Sequence, residues 1–379
     1  MRPFDLSERL RDRLAARLTS IDRDGLRRTP RPPVGIDLSS NDYLGLAQHP
    51  LLKQRMAEAV LADGVGSTGS RLLRGEREAF QRVEQRFAGF KGAERSLYFS
   101  SGYLANLAVL TAFPEEGDVI FSDERNHASL IDGARLSRAR RVIFPHISSR
   151  HDMGALAKLL REEDGPGQKF VVVESLFSMD GDEAPLPEYA ALCRETGAAL
   201  IVDEAHAVGI YGATGSGLIE ARGVADDVFV SINTAGKAMG VSGAFVTGPA
   251  DAIELLVQRA RPFIFSTAPP PAVAAALDAS LDVIAAEPER RVRLLERSRY
   301  LRARLGMPEG SQIVPVIVGD NQRAARVAAE IQAAGFDVRA IRPPTVPEGT
   351  ARLRVSVNCE LSEETLDRFA AVLEQALRV

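Results

Sequence analysis

Between residues 84 and 250, short β-branched or aromatic runs alternate with helical patterns, and that alternation constrains the chain more than any other feature. The runs are "SLYFS", "DVIFSD", "RVIFP", "KFVVVES", "ALIVDE", "VFVSIN" and "GAFVTG", mostly bounded by turn residues. Helical patterns over 102–112, 128–139 and 153–163 lie between several of them. Strand–helix alternation of this kind predicts an α/β domain whose mostly parallel sheet is covered by helices on both faces. After "FSTAPPPAV" at 265–273 the pattern changes. A long helical region over about 271–305 leads into "IVPVIVGD", a helix over 321–334, "DVRAI", "ARLRVSVN" and a final helix from Ser362. That reads as a smaller α+β domain. The 379 residues suit two or three packed domains. The expected division is an N-terminal docking segment over 1–50, a large α/β domain over 51–270 and a small C-terminal α+β domain over 271–379.

Composition narrows the function by exclusion. Apolar residues make up 45% and charged residues 26%, ordinary for a soluble globular protein. The net charge of −4 is spread along the chain, which argues against a nucleic-acid surface built on a basic stripe. The strongest basic run, "RARR" at 138–141, is short and reads as an exposed helix end. Cys193 and Cys359 lie far apart without a CxxC partner, so neither a disulfide framework nor a metal site is expected and a reducing, cytoplasmic compartment fits. No run of 18 apolar residues is present, so no membrane helix is expected. The N-terminus is arginine-rich, with Leu6, Leu10, Leu14 and Leu18 at i+4 spacing, but Asp5, Glu8, Asp12, Asp22 and Asp24 interrupt it. Transit peptides avoid acids, so this is read as a docking helix.

One lysine stands out. Lys237 in "SINTAGKAMGVSGA" has no charged neighbour from Ser231 to Ala244, in a chain with only five lysines. The other four, Lys53, Lys91, Lys158 and Lys169, sit in the polar or helical contexts of solvated residues. Two motifs compete to explain the surroundings. "GVGSTG" over 64–69 matches G-x-G-x-x-G, but it follows a helical stretch, whereas a dinucleotide fingerprint must follow a strand. "DEAH" over 203–206 matches a helicase box, but the phosphate loop it needs is missing: "SINTAGKA" has Ser231 and Ala238 where glycine and a hydroxyl belong. What survives is Asp203, His206 and Lys237 together. Asp203 ends one apolar strand and Lys237 follows the next, and α/β sheets bind ligands at the carboxyl ends of their strands. A lysine and a carboxylate at neighbouring strand ends suit pyridoxal 5'-phosphate. The lysine condenses with the aldehyde, and the aspartate keeps the ring nitrogen protonated. Small neighbours leave room for a flat cofactor.

The chain resembles the α-oxoamine synthases, pyridoxal-phosphate enzymes of the aspartate-aminotransferase fold (fold type I). The motifs are "SSNDYLGL", "GSTGSRL", "NHASLIDGA", "ESLFSMDGDEAPL", "VDEAHAVG", "TAGKAMGVSGA", "STAPPPA" and "VGDNQRA", spread over nearly the whole chain. The resemblance implies a PLP-dependent acyltransferase in which Lys237 holds the cofactor and then acts as general base. It implies that His127 lies on the ring, that Asp203 meets the ring nitrogen, and that His206 and Ser178 lie beside the phenolic oxygen. Ser101, Gly102 and Tyr103 open a helix suited to the phosphate, with Thr234 adding a hydroxyl. Tyr103 stands where phenylalanine is frequent. Ser266 and Thr267 are implied to reach the phosphate of a neighbouring subunit, in a homodimer with shared active sites.

"AIRPPTVPEGTARLRVSVN" is similar to members that condense L-alanine with a pimeloyl thioester, carried on coenzyme A or an acyl carrier protein. A member using glycine and a short acyl donor is the alternative substrate reading, and a non-catalytic scaffold subunit is the alternative of another class. The intact lysine, aspartate and two histidines favour the enzyme. Arg354 is implied as the clamp on the amino-acid carboxylate, with Arg352 two residues away on the same strand face. Arg27, Asn41, His127 and Thr345 are implied to line the substrate pocket. The chain departs from the family at Arg74, where a small residue is usual, and at Phe80, where a histidine is usual; both are expected to alter the acyl entrance.

Overall fold

The computed structural model describes residues 8–307 and 309–378. Its centre is a seven-stranded sheet of β2 (Arg95–Phe99), β3 (Val119–Asp123), β4 (Arg140–Phe144), β5 (Lys169–Glu174), β6 (Ala199–Asp203), β7 (Val228–Thr234) and β8 (Ala244–Gly248). The strand order is β2-β8-β7-β6-β5-β3-β4. All seven apolar runs read from the sequence are these seven strands. β8 alone runs against its neighbours, pairing antiparallel with both β2 and β7. The connection from β7 to β8 is therefore a hairpin, and Lys237 stands in its loop.

Helices cover both faces. Successive residues of a strand point to opposite sides, and Phe170 and Val172 of β5 pack in one cluster while Val171 and Val173 pack in the other. One face holds α4 (Gly102–Ala112), α5 (Ala128–Leu136), α9 (Ala250–Arg259) and α10 (Arg261–Ile264). The other holds α3 (Glu78–Lys91), α6 (Gly154–Glu162) and α7 (Leu186–Thr196), with α8 (Leu218–Arg222) beside them. Helix α3 is fixed by Phe87, whose ring stacks on Phe245 of β8 at 4.0 Å.

The helical region expected over 271–305 is two helices, α11 (Pro271–Ala286) and α12 (Glu289–Arg304), separated at Pro288, where a helix cannot continue. Helix α11 packs on α2 (Pro50–Asp63) and on α3. A second sheet has the order β11-β12-β9, from β9 (Ile313–Gly319), β11 (Ala340–Ile341) and β12 (Ala351–Ser356), all antiparallel. It is backed by α13 (Asn321–Ala333), on which α14 (Glu363–Arg378) packs in turn. The expected strand "DVRAI" is split between β10 (Phe336–Asp337) and β11, and β10 pairs in parallel with β1 (Ile36–Asp37).

Helix α1 (Glu8–Arg23) carries Leu10, Leu14 and Leu18 on a face 40–48% exposed within the single chain. Leu6 of the expected stripe lies outside the described residues. The three arginines of the "RARR" run are exposed as expected and Ala139 between them is buried, but α5 ends before the run and its last two arginines open β4. No helix among the described residues is long and apolar enough to cross a membrane.

Candidate active site

Strands β6 and β7 are adjacent and parallel, with Asp203 opposite Ile232, so Asp203 and the hairpin loop after Thr234 meet at the carboxyl ends of these two central strands. The loop is tight. Ala235 N donates to Gly243 O at 2.9 Å and Gly240 N to Lys237 O at 2.8 Å. Gly240 has φ +69° and its Cα faces Ala47 N so closely that a Cβ would lie 2.5 Å from it, so only glycine closes this turn.

The Lys237 amine lies 2.8 Å from His206 Nε2, and His206 Nδ1 lies 2.7 Å from Tyr43 Oη. Tyr43 donates to Asn41 Oδ1 at 2.9 Å and accepts from Arg354 at 3.2 Å. One donor order satisfies every bond: Lys237 donates to Nε2, Nδ1–H donates to Tyr43, and Tyr43 donates to Asn41. Burial, reinforced by Lys237, Arg354 and His127, drives the His206 pKa well below the ordinary histidine value, so this imidazole is neutral. Burial also pushes Lys237 down to about 8, against the pull of Asp203 and Glu174 and with Arg354 adding to the drop. The amine is thus poised to give up its proton near neutral pH.

Asp203 is 5% exposed; Oδ2 accepts from Asn106 Nδ2 and Oδ1 from Ala205 N, each at 2.8 Å. His127 caps α5, its Nδ1 accepting from Ser129 N at 3.3 Å and lying 2.7 Å from Ser129 Oγ. Burial lowers its pKa, opposed by Asp203 and aided by Lys237. The same Ser129 hydroxyl accepts from Asn106 at 2.8 Å, linking His127 to Asp203. Glu174 ends β5 opposite Asp203 in register; it accepts from His127 N at 2.6 Å and Ser178 N at 3.2 Å. Burial first and Asp203 second raise its pKa to about 8, against the pull of Lys237 and the two N–H donors.

The two arginines of β12 separate cleanly. Arg354 donates to Ser178 O at 2.5 Å, Asn41 Oδ1 at 3.0 Å, Ser356 Oγ at 2.8 Å and Tyr43. Arg352 instead pairs with Asp180. Arg354 is the one that reaches the Lys237 network.

A second cluster forms at the start of α4. Ser101 is the N-cap, its hydroxyl accepting from Leu104 N at 3.2 Å. A Cβ on Gly102 would lie 2.7 Å from Thr234 Oγ1, so glycine lets the helix start approach the end of β7. Free N–H groups beside a threonine hydroxyl suit a phosphate. Tyr103 is 43% exposed and its hydroxyl donates to Asp132.

Other expected residues stand apart. Arg27 makes a bidentate pair with Asp22, both distances 2.6 Å, at the surface. Thr345 is exposed. Ser266 and Thr267 line a small crevice with Phe99, Ser100 and Arg71, away from the Lys237 bonds. Two readings are corrected. Phe80 is fully buried, stacked on Tyr98 at 5.4 Å and beneath Arg71, so it lies in the core and not at an entrance; Arg74 is exposed. Lys91 is not solvated: its side chain is 3% exposed and bonds Glu204 and Ser216 O. Tyr43, Asn106 and Glu174 escaped the sequence reading. Glu174 was signalled by ending its apolar strand as Asp203 does, and Asn106 by being the one amide in an apolar helix.

The fold and this site define a fold type I pyridoxal-phosphate enzyme, and the chain belongs to the aminotransferase class I and II family, which it matches over residues 33–373. It is 45% identical to the 8-amino-7-oxononanoate synthase of Anaeromyxobacter dehalogenans, over 97% of this chain and 96% of that one. Among solved structures it is similar to a serine palmitoyltransferase from S. paucimobilis, an α-oxoamine synthase carrying PLP, with TM-score 0.89, 30% identity and coverage of 99% and 98%. It is also similar to the 8-amino-7-oxononanoate synthase of Francisella tularensis, with TM-score 0.78, 27% identity and coverage of 91% and 98%. The cofactor is pyridoxal phosphate. The close approach of Gly102 to Thr234, and Asp203 and Lys237 at the ends of adjacent strands, suit its two ends.

Proposed function

We propose that the chain catalyses the 8-amino-7-oxononanoate synthase reaction: L-alanine and a pimeloyl thioester condense, releasing carbon dioxide and the free thiol. The observation that carries this reading is the Lys237–His206 pair, a half-buried lysine on a buried histidine, flanked by Asp203 and Arg354, in a chain 45% identical to synthases of that name along nearly its whole length. Bound here, pyridoxal phosphate supplies the electron sink that stabilises negative charge at the amino-acid α-carbon. Asp203, aligned by Asn106 and Ala205 N, would hold a proton on the ring nitrogen. Ser101, Gly102 and Thr234 would hold the phosphate end. His127, at the start of α5, would cover the ring, and Ser178 and His206 would serve its phenolic oxygen.

Arg354 orients the alanine carboxylate by exchanging its bonds to Tyr43 and Asn41 for a bidentate pair. Lys237, with its depressed pKa, takes the α-proton and returns one after carbon dioxide leaves. The protein is further proposed to act in the cytoplasm as a homodimer in which Ser266 and Thr267 complete the partner's phosphate site. Exposed Leu72, Leu73 and Phe265 near that segment support an interface, and two buried unpaired cysteines support a reducing compartment. Arg27 and Thr345 are assigned to the acyl and carboxylate pocket of the assembled enzyme.

The test measures thiol release with alanine against glycine, crossed with pimeloyl against acetyl thioesters. Fastest release with alanine and pimeloyl is expected; faster release with glycine and acetyl overturns the substrate assignment. A pocket distinguishes one methyl by only about 1–3 kcal/mol, so the acyl arm is the more decisive.

A further inference from the structure

We propose that His146 is a positioning residue for this reaction, a charged tie between the segment that delivers His127 and the hairpin that delivers Ser178; the proposal rests on the reading just given. His146 follows β4 and its side chain is 5% exposed. Its Nδ1 lies 3.0 and 3.1 Å from the two oxygens of Asp123, and its Nε2 lies 2.6 Å from Asp182 Oδ2. A neutral imidazole has one N–H and cannot donate in both directions. With a carboxylate at each nitrogen, the ring is held as imidazolium. Phe177 stands edge-on to it, ring centres 4.4 Å apart.

Each carboxylate belongs to a different piece of the site. Asp123 ends β3, and its Oδ1 accepts from Arg125 N at 2.8 Å, setting the turn that runs through Asn126 to His127. Asn126 pins that turn to the sheet by donating to Val172 O at 2.8 Å. Asp182 lies on the hairpin after β5, where Leu176 pairs with Glu183 and Phe177 N donates to Asp182 O at 3.0 Å. Ser178 is at the tip of that hairpin, bonded to Glu174 through its N–H and to Arg354 through its carbonyl. His146 therefore fixes the distance between the turn that carries His127 and the hairpin that carries Ser178, without bonding either residue.

The charged groups facing the ring are Asp123, Asp182 and Glu124, whose carboxylate accepts from His146 N at 3.1 Å. The Tyr189 phenol of α7 lies behind them, its pKa raised by burial and by Asp123 and Asp182. Burial alone would lower the histidine pKa, but the two carboxylates outweigh it and raise it to about 9. A raised pKa means the tie is complete at neutral pH and is lost as pH rises through about 9.

The chain has only five histidines, so their side-chain nitrogens can be followed by NMR in the apoprotein, with His146→Gln giving the assignment. Both His146 nitrogens should stay protonated to about pH 9; loss of the proton below neutral pH overturns the proposal. His146→Gln should weaken pyridoxal phosphate binding and lower kcat by about tenfold to a hundredfold, and speed amide exchange over 124–130 and 175–184. His146→Arg keeps two charged donors and should recover most of both, with no loss at alkaline pH. Unchanged exchange and affinity in His146→Gln, or His146→Arg no better than His146→Gln, refutes the idea. Should His146→Gln not fold, Asp182→Asn decides, since it cuts the tie at its more exposed end; exchange over 175–184 unchanged in that variant also refutes it. Exchange, NMR and cofactor binding use neither alanine nor thioester, so these results stand apart from the substrate assignment.

Discussion

Lys237 Nζ lies 2.8 Å from His206 Nε2, and that contact begins a chain of bonds through Tyr43 to Asn41 and Arg354. The group proposed to move the proton and the group proposed to clamp the carboxylate therefore share one network. A neutral His206 is what makes this work, because an imidazolium there would repel the amine it must hold.

Removing the amine tests the centre directly. Lys237→Ala should lower turnover by at least about 10²–10⁴-fold, the usual contribution of a positioned proton-transfer group. In the unaltered protein, borohydride should fix the cofactor on the peptide that contains Lys237. Label recovered on any of the other lysines contradicts the assignment.

Glu174 should govern part of the pH dependence of stability. Its folded pKa, raised to about 8, exceeds the ordinary 4.5 of an unfolded glutamate. The folded apoprotein keeps a proton that the unfolded chain loses, so this contribution is full below about pH 4.5 and disappears as pH rises through about 8. Glu174→Gln mimics the protonated side chain and should flatten that slope, by an amount on the order of a few kcal/mol across the window. Chemical denaturation at several pH values reads it; parallel slopes in the two proteins would reject the assignment.

Asn106 is the side-chain donor to Asp203. Asn106→Ala leaves that carboxylate with its backbone donor at Ala205 and frees Ser129 beside His127. A hydrogen bond to a charged group contributes about 1.5–3 kcal/mol, so the dissociation constant for pyridoxal phosphate should rise roughly tenfold to a hundredfold. Titration of the apoprotein by visible absorbance measures it.

Arg354 and Arg352 should fail differently. Arg354→Lys removes the planar fork from the Lys237 network and should raise the alanine KM by about tenfold or more. Arg352→Lys loosens Asp180 and the Ser178 hairpin, and should act chiefly on cofactor affinity. Steady-state kinetics on both variants separates the two outcomes; an alanine KM raised equally by each would contradict the geometry.

The sequence by itself determined the sheet. Runs such as "FVVVE" and "ALIVD" are too apolar to lie anywhere but between two helical layers, and Asp203 ends one strand of that sheet while Lys237 follows the next. A strand pattern is local, so it is readable one segment at a time. The partners of polar side chains are not local. Arg354 reaches Asn41 across 313 residues and Arg352 reaches Asp180 across 172, although the two arginines occupy the same face of one strand. Lys91 reads as a solvated lysine at the end of a helix until Glu204, 113 residues on, is brought against it. Phe80 reads as a change at the acyl entrance until Tyr98 and Arg71 close over it. Which polar group is buried, and against what, depends on where the whole chain brings its segments together, because a buried charge persists only beside a partner that satisfies it. Only the tertiary structure decided that.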